Sequence, residues 1–226
     1  MASLYIVATP IGNLEDITVR ALRILREVSW VACEDTRRTG KLLAHYEIQS
    51  RLISIRSQNE EREAGRICRV LEGGEDVAYV SDAGTPGVSD PGRRLVEEAR
   101  RRGFAVVPIP GPSALAALMS VSSFPGRTVT FDGFLSPKSG KRRSRIAELL
   151  ERGEAFLLYE SPHRIVKILS NVAEKEPKRP VLVGREMTKL HEEFLEGSAE
   201  ELFREFEGRK SLKGEFVLLV SGKKKR

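Results

Sequence analysis

Apolar positions along this chain fall into short unbroken runs, separated by stretches in which they recur every three or four residues. Leu4-Tyr-Ile-Val-Ala8 is such a run, and Ile17 to Val28 then places Ala21, Leu22, Leu25 and Val28 on one helical face. The alternation continues with a strand at Trp30–Cys33, a helix from about Thr36 to Tyr46, a strand at Leu52–Ile55 and a helix from about Asn59 to Glu72. Val77–Ser81, a helix after Pro91 carrying Leu95, Val96 and Ala99 on one face, and Ala105–Ile109 complete the series. Short apolar strands alternating with amphipathic helices predict a mainly parallel sheet covered on both faces.

A further helix, Ala114 to Val121, precedes Ser122-Ser-Phe-Pro-Gly126, which breaks the pattern and marks the expected boundary between a domain at 1–121 and one at 127–226. The second half reads as an alternating strand at Thr128–Phe134, a helix around Arg145–Arg152, and a strand at Ala155–Tyr159. A helix at Arg164–Ala173 and a strand at Val181–Gly184 come next. Glu192–Gly197, a helix through Leu202, Phe203 and Phe206, and a last strand at Glu215–Val220 close the chain. Late neighbouring strands without a long helix between them predict a mixed sheet. The expected fold class is therefore α/β, with a mainly parallel sheet first and a mixed sheet second.

Polar or glycine-rich strings sit at the strand ends: Thr9–Asp16, Glu34–Arg37, Asp82–Gly92, Gly111–Ala114, Glu160–Arg164, Glu186–Glu192 and Lys213–Glu215. The carboxyl ends of parallel strands share one edge of a sheet, so such strings are able to converge on one ligand cleft. Any single string also reads as an ordinary turn or helix cap. Asp82-Ala-Gly-Thr-Pro-Gly-Val-Ser-Asp-Pro-Gly92 is the most informative, because its glycines allow close backbone approach and its prolines fix the loop in advance.

Composition narrows the chemistry. The chain has 226 residues, a net charge of +6 and 40% hydrophobic residues, and no run approaches the roughly 18 apolar residues of a membrane span. Its first residues lack the basic region of a signal peptide, and Cys33 and Cys68 have no ligand-like spacing, so a reducing cytoplasmic setting is expected. Cations cluster at Arg37-Arg38, Arg100–Arg102, Lys138–Arg145 and the tail Lys223–Arg226, which permits nucleic-acid binding. Lys138–Arg145 stands out because it reads as a loop between a strand and a helix. No G-x-G-x-x-G follows the first strand, and neither a Walker motif nor a G-x-S-x-G elbow occurs. The carboxylates Glu34, Asp35, Asp82 and Asp90 lack a metal-ligand spacing, and no metal is expected.

Taken together, the strings TPIGNLED, CEDTR, SDAGTPGVSDPG, PGPSA, ESPHR, EMTKLHEE and KGEFVLLV resemble the bacterial ribosomal RNA small subunit methyltransferase I family, of the tetrapyrrole methylase superfamily. The resemblance runs in order from Leu4 to about Ser221. Many family members continue into a small helical extension, whereas this sequence ends in a basic tail, so contacts made by that extension are expected to be absent or replaced. The resemblance implies two α/β domains with S-adenosylmethionine in the cleft between them. It also implies methyl transfer to the ribose 2′-hydroxyl of a cytidine in the decoding region of small-subunit (16S) rRNA, within the small ribosomal subunit, by a homodimer. Carried over by position, the cofactor is expected at Pro10, Thr85, Val88, Ser113 and Ala114, and at Tyr159, Met187 and Gly214.

A sulfonium cofactor calls for shape and backbone hydrogen bonds without a pyrophosphate cradle, which agrees with glycine-rich loops lacking the dinucleotide fingerprint. A ribose hydroxyl must lose its proton as the new bond forms; the candidates are Glu160, Glu186, Lys189 and Glu192. Lys189 needs a lowered pKa to act as the base, and Glu160 or Glu186 is alternatively an orienting partner of Arg164 or Arg185. Phosphate contacts are expected from Arg37, Lys138, Lys141, Arg142, Arg143 and Arg164. Three other readings stay open at this point: a methyltransferase of a tetrapyrrole-like small molecule, a non-catalytic RNA-binding module, and a metal-dependent phosphohydrolase.

Overall fold

The computed structural model describes residues 2–124 and 128–223; Pro125 and Gly126 of the expected linker and Lys224–Arg226 of the basic tail lie outside them. The chain divides into two compact units, Met1–Ser113 and Ala114–Arg226.

The first unit holds five parallel strands: β1 (Ser3–Val7), β2 (Trp30–Cys33), β3 (Arg51–Ser54), β4 (Val77–Val80) and β5 (Ala105–Ile109), in the order β3-β2-β4-β1-β5. Both faces are covered, which is why the central strands are apolar on successive residues. Ala21, Ile24 and Leu25 of α1 (Val19–Glu27) and Leu43 of α2 (Thr36–His45) pack with Val7, Val31, Cys33, Ala78 and Val80. On the opposite face, Ile67, Cys68 and Leu71 of α3 (Glu60–Glu72) and Leu95 and Ala99 of α4 (Arg93–Arg101) pack with Leu4, Ala32, Val77 and Tyr79.

This order has a consequence for ligands. From β1 the chain leaves through α1 towards β2, whereas from β4 it leaves through α4, on the other face, towards β5. Adjacent strands whose connections part in this way form a topological switch point, with a crevice at their carboxyl ends. Those ends are Thr9-Pro10 and the Asp82–Gly92 loop.

The second unit begins with α5 (Ala114–Ser120), which the sequence pattern groups with the first half but which packs on β10 (Phe216–Val220). Its sheet runs β6-β7-β10-β8-β9, from β6 (Val129–Gly133), β7 (Ala155–Glu160), β8 (Pro180–Arg185) and β9 (Glu193–Ser198). Strand β6 is parallel to β7 and every other pairing is antiparallel, so the sheet is mixed. One face carries Phe156, Leu158, Val181, Val183, Phe216 and Leu218. They are buried against α6 (Ser139–Arg152), α7 (Ile165–Lys175) and α8 (Ala199–Glu207).

Helix α6 starts six residues earlier than its apolar spacing predicts, so the Lys138–Arg145 cluster is its cap and first turns, not a loop. Among the described residues no helix is long and apolar enough to cross a membrane.

Candidate active site

In the first unit three of the polar strings meet at the switch point. The Thr9 and Gly84 backbones exchange hydrogen bonds of 2.9 Å in each direction, which ties the string after β1 to the string after β4. Thr85 Oγ1 donates to the Pro112 carbonyl at 3.0 Å and brings in the string after β5. Close approach explains two glycines: a Cβ at Gly111 would stand 3.0 Å from that of Ala8, and one at Gly84, whose φ is +78°, would lie 3.3 Å from Ile11 Cγ2. Pro10, Thr85 and Ser113 are partly buried here, and Val88 is exposed at the rim.

The rest of the loop is braced from below. Asp82 Oδ1 accepts the Asp35 amide at 3.1 Å and Asp82 pairs with Arg38 at 3.3 Å. Tyr79 donates its phenol to the Pro91 carbonyl at 2.8 Å. Beside the loop lies a cavity of about 520 Å³ lined by Glu34, Arg37, Arg56, Asp82 and Asp90 among others. Burial, then the charges of Asp90 and Asp82, push the Glu34 carboxyl up to about 7, against the pull of Arg38. Burial likewise raises Asp90. The pattern of residues does not single out Glu34: it follows β2 directly and Asp82 follows β4 by one residue, but only the strand order makes them neighbours.

In the second unit Tyr159 lies on the opposite face of the sheet from the helices α6 to α8. Tyr159, Val217 and Gly184 form one row across β7, β10 and β8. Helix α5 lies over that row: the Leu115 amide donates to the Tyr159 hydroxyl at 3.2 Å, and Leu118 crowds Gly184 together with buried Met187. Ala114, Tyr159 and Met187 therefore share one neighbourhood. Tyr159 also meets the rings of Phe131 and Phe134 edge to face, at centroid distances of 4.9 and 5.8 Å.

Gly214 adjoins Glu186. Its φ is +97°, and a Cβ there would come 2.4 Å from Glu186 Cγ. Glu186 Oε1 accepts from Lys189 Nζ and from the Glu215 amide, each at 2.9 Å, while Lys189 Nζ reaches Glu215 Oε2 at 2.8 Å. Burial alone would lower the lysine, but its bonds to Glu215 and Glu186 outweigh that and leave it raised. Burial raises Glu186, yet the bonds from Lys189 and the Glu215 amide hold it below its ordinary value. Lys189 does not meet the condition set for a neutral base. The tight 186–192 turn is fixed by positive φ at Glu186 and Thr188 and by the Thr188 amide on Glu192 Oε2 at 2.6 Å.

Glu160 is 3% exposed; its Oε1 accepts Arg164 Nε at 2.6 Å and the Ser161 amide at 2.7 Å. Arg164 also donates through Nη1 to the Leu135 carbonyl at 3.0 Å. Glu160 is thus an orienting partner of Arg164, one of the two roles open to it from sequence.

The phosphate candidates divide. Lys138 and Lys141 are exposed, and neither has an ion partner among the described residues. Arg143 pairs with Glu174 at 3.2 Å, and Arg37, also exposed, forks onto Asp35 at 2.6 and 3.1 Å. Arg142 requires correction. It is 5% exposed, lies on the helical face of Ile146 and Leu149, and donates to Asn171 Oδ1 at 3.0 Å and the Pro137 carbonyl at 3.3 Å. It holds the protein together and is not presented to a ligand.

Comparison with known proteins accords with this geometry. Residues 3–202 match the family model of tetrapyrrole (corrin/porphyrin) methylases. Among curated relatives, the ribosomal RNA small subunit methyltransferase I of Borrelia garinii is 48% identical, covering 96% of this chain and 98% of that protein. The protein of the same name from Thermotoga maritima is 46% identical over 99% of this chain and the whole of its own length. Of solved structures, a cobalamin biosynthetic enzyme, cobalt precorrin-4 methyltransferase, aligns with a TM-score of 0.71 at 18% identity, covering 97% and 94% of the two chains. Uroporphyrin-III-C-methyltransferase from Thermus thermophilus aligns at 0.68 and 19%, covering 98% and 94%. At that identity the structures speak for the fold alone. The sequence relatives go further, and on their strength the chain belongs to the ribosomal RNA small subunit methyltransferase I family of the tetrapyrrole methylases.

Proposed function

We propose that the chain is an S-adenosylmethionine-dependent rRNA methyltransferase, and that its target is the ribose 2′-hydroxyl of a cytidine in the decoding region of 16S rRNA. The observation that carries the reading is identity of 46–48% along essentially the whole length of proteins named for small-subunit rRNA methylation. The cytidine and the ribose oxygen rest on the family likeness of the strand-end motifs.

The residues present suit the cofactor. At the switch point the strings meet backbone to backbone, with glycines where a Cβ would crowd and hydroxyls at Thr85 and Ser113. The residues proposed to hold it, Pro10, Thr85, Val88 and Ser113, include no cation. An adenosyl group needs such a lining, and a pyrophosphate does not. In the second unit Ala114, Tyr159, Met187 and Gly214 are the proposed contacts. When bound, S-adenosylmethionine supplies a methyl group activated by a sulfonium.

The chain's own part is alignment and proton handling. Displacement at the methyl carbon is in line, so holding the hydroxyl in place accounts for much of the acceleration. Lys189, kept charged by Glu186 and Glu215, is suited to stabilising the developing alkoxide, and Glu186 is the acceptor we assign to the proton. Arg164, set by Glu160, joins Lys138, Lys141, Arg143 and Arg37 as contacts for the RNA backbone. The test is calorimetric titration with S-adenosylmethionine, followed by transfer of a labelled methyl group to small subunits lacking the modification. Binding followed by labelling of the rRNA is the expected outcome; no cofactor binding would sink the assignment.

A further inference from the structure

A single exposed apolar side chain carries no message by itself. Phe134 differs because the fold is built to present it. The residue is 57% exposed and directly follows β6, an edge strand of the second unit. Simple alternation along a strand would place Phe131 and Phe134 on opposite faces. Instead the β6–β7 register shifts between Phe131 and Gly133, and Gly133 takes a φ of +63°. The extra residue reverses the alternation and re-aims the side chains beyond it, so that both phenylalanines meet Tyr159 on the same side.

The bulge is held. Asp132 takes a forked pair of bonds from Arg145 at 2.6 and 2.8 Å. The next turns are pinned through their carbonyls, Leu135 by Arg164 and Pro137 by Arg142. The segment then opens onto Lys138 and Lys141, both exposed and without an ion partner among the described residues. A fixed, half-exposed ring beside unpaired cations is the arrangement by which proteins grip single-stranded nucleic acid: bases stack on aromatic rings while cations take the phosphates. Fixing the ring beforehand lowers the ordering cost of binding.

We propose that Phe134 is a stacking platform for an unpaired base of the RNA substrate, with Lys138 and Lys141 taking the adjoining phosphates. This rests on the reading of the chain as an rRNA methyltransferase, and names the element that positions the RNA.

Affinity for a short single-stranded RNA, measured across a salt series, tests it alongside S-adenosylmethionine affinity. Phe134→Ala is expected to weaken RNA binding roughly 5- to 150-fold, the range of one base stack, with the salt slope and cofactor affinity unchanged. Phe134→Trp is expected to retain binding and Phe134→Leu to lose it. Lys138→Ala should reduce the salt slope by about 0.7. Undiminished RNA binding by Phe134→Ala, or full binding by Phe134→Leu, overturns the proposal. A loss of cofactor affinity in Phe134→Ala also overturns it, by moving the ring to the cofactor. If the unaltered protein binds no RNA, the underlying reading fails first.

Discussion

Thr85 sits where its hydroxyl joins two loops, donating to the Pro112 carbonyl one residue beyond a glycine with left-handed backbone. Thr85→Arg puts a long cation into that junction. Cofactor binding should be abolished while RNA affinity stays largely intact; calorimetry showing undiminished cofactor affinity would place the pocket elsewhere. Glu34 makes a different prediction. Its carboxyl titrates at about 7 in the folded protein and at roughly 4.3 when unfolded. A raised pKa means that the contribution to stability is present below the unfolded value and is lost as pH rises through about 7. Glu34→Gln removes that cost of ionisation, so its melting temperature relative to the unaltered protein should climb between about pH 4 and 7 and level off above. A constant difference would mean that Glu34 is not held protonated. The loop that carries Thr85 was legible because glycines and prolines after a strand mark it, whereas Thr85 itself was picked out only by the family resemblance. The state of Glu34 was not legible, since it depends on Asp82 and Asp90, distant in sequence. Arg142 misled for the converse reason: in a run of cations nothing local marks the one that faces Asn171.

Helix ends show how elements fasten to one another. Helix α4 starts at Gly92, where a Cβ would press on Tyr79 and no side chain is available to cap. Glu60, the first residue of α3, does this from outside, its Oε1 accepting from the Gly92 and Arg94 amides at 2.9 and 2.8 Å. Glu60→Ala should cost about 1–3 kcal/mol, the range for losing charge-assisted bonds to buried or helix-terminal donors. The midpoint of chemical denaturation reads this directly, and no shift would show that water caps α4 as well. The apolar period located almost every helix and strand, but it missed the first turns of α6. Gly140 and repeated cations there are poor local helix signals, and the bonds that steady them, from Arg142, Arg143 and Arg145, reach partners outside the segment. The β6 bulge was hidden in the same way, because Thr128–Phe134 reads as plain alternation.

Across the whole chain, alternating strands and helices announced a parallel sheet, and closely spaced late strands announced a mixed one. The strand order was not legible, although the order is what makes the ends of β1 and β4 a switch point. Nor was the allegiance of α5, which follows β5 in sequence but packs on β10. The family was legible through its resemblance in the run of motifs at strand ends, where a fold of this kind assembles a ligand site. The proposed chemistry turns on which atom is methylated. The protein is incubated with labelled S-adenosylmethionine and small subunits lacking the modification, and the label is mapped within the 16S rRNA. Label on the ribose 2′-oxygen of a single decoding-region cytidine is the expected result; label on a base carbon or nitrogen would contradict ribose methylation.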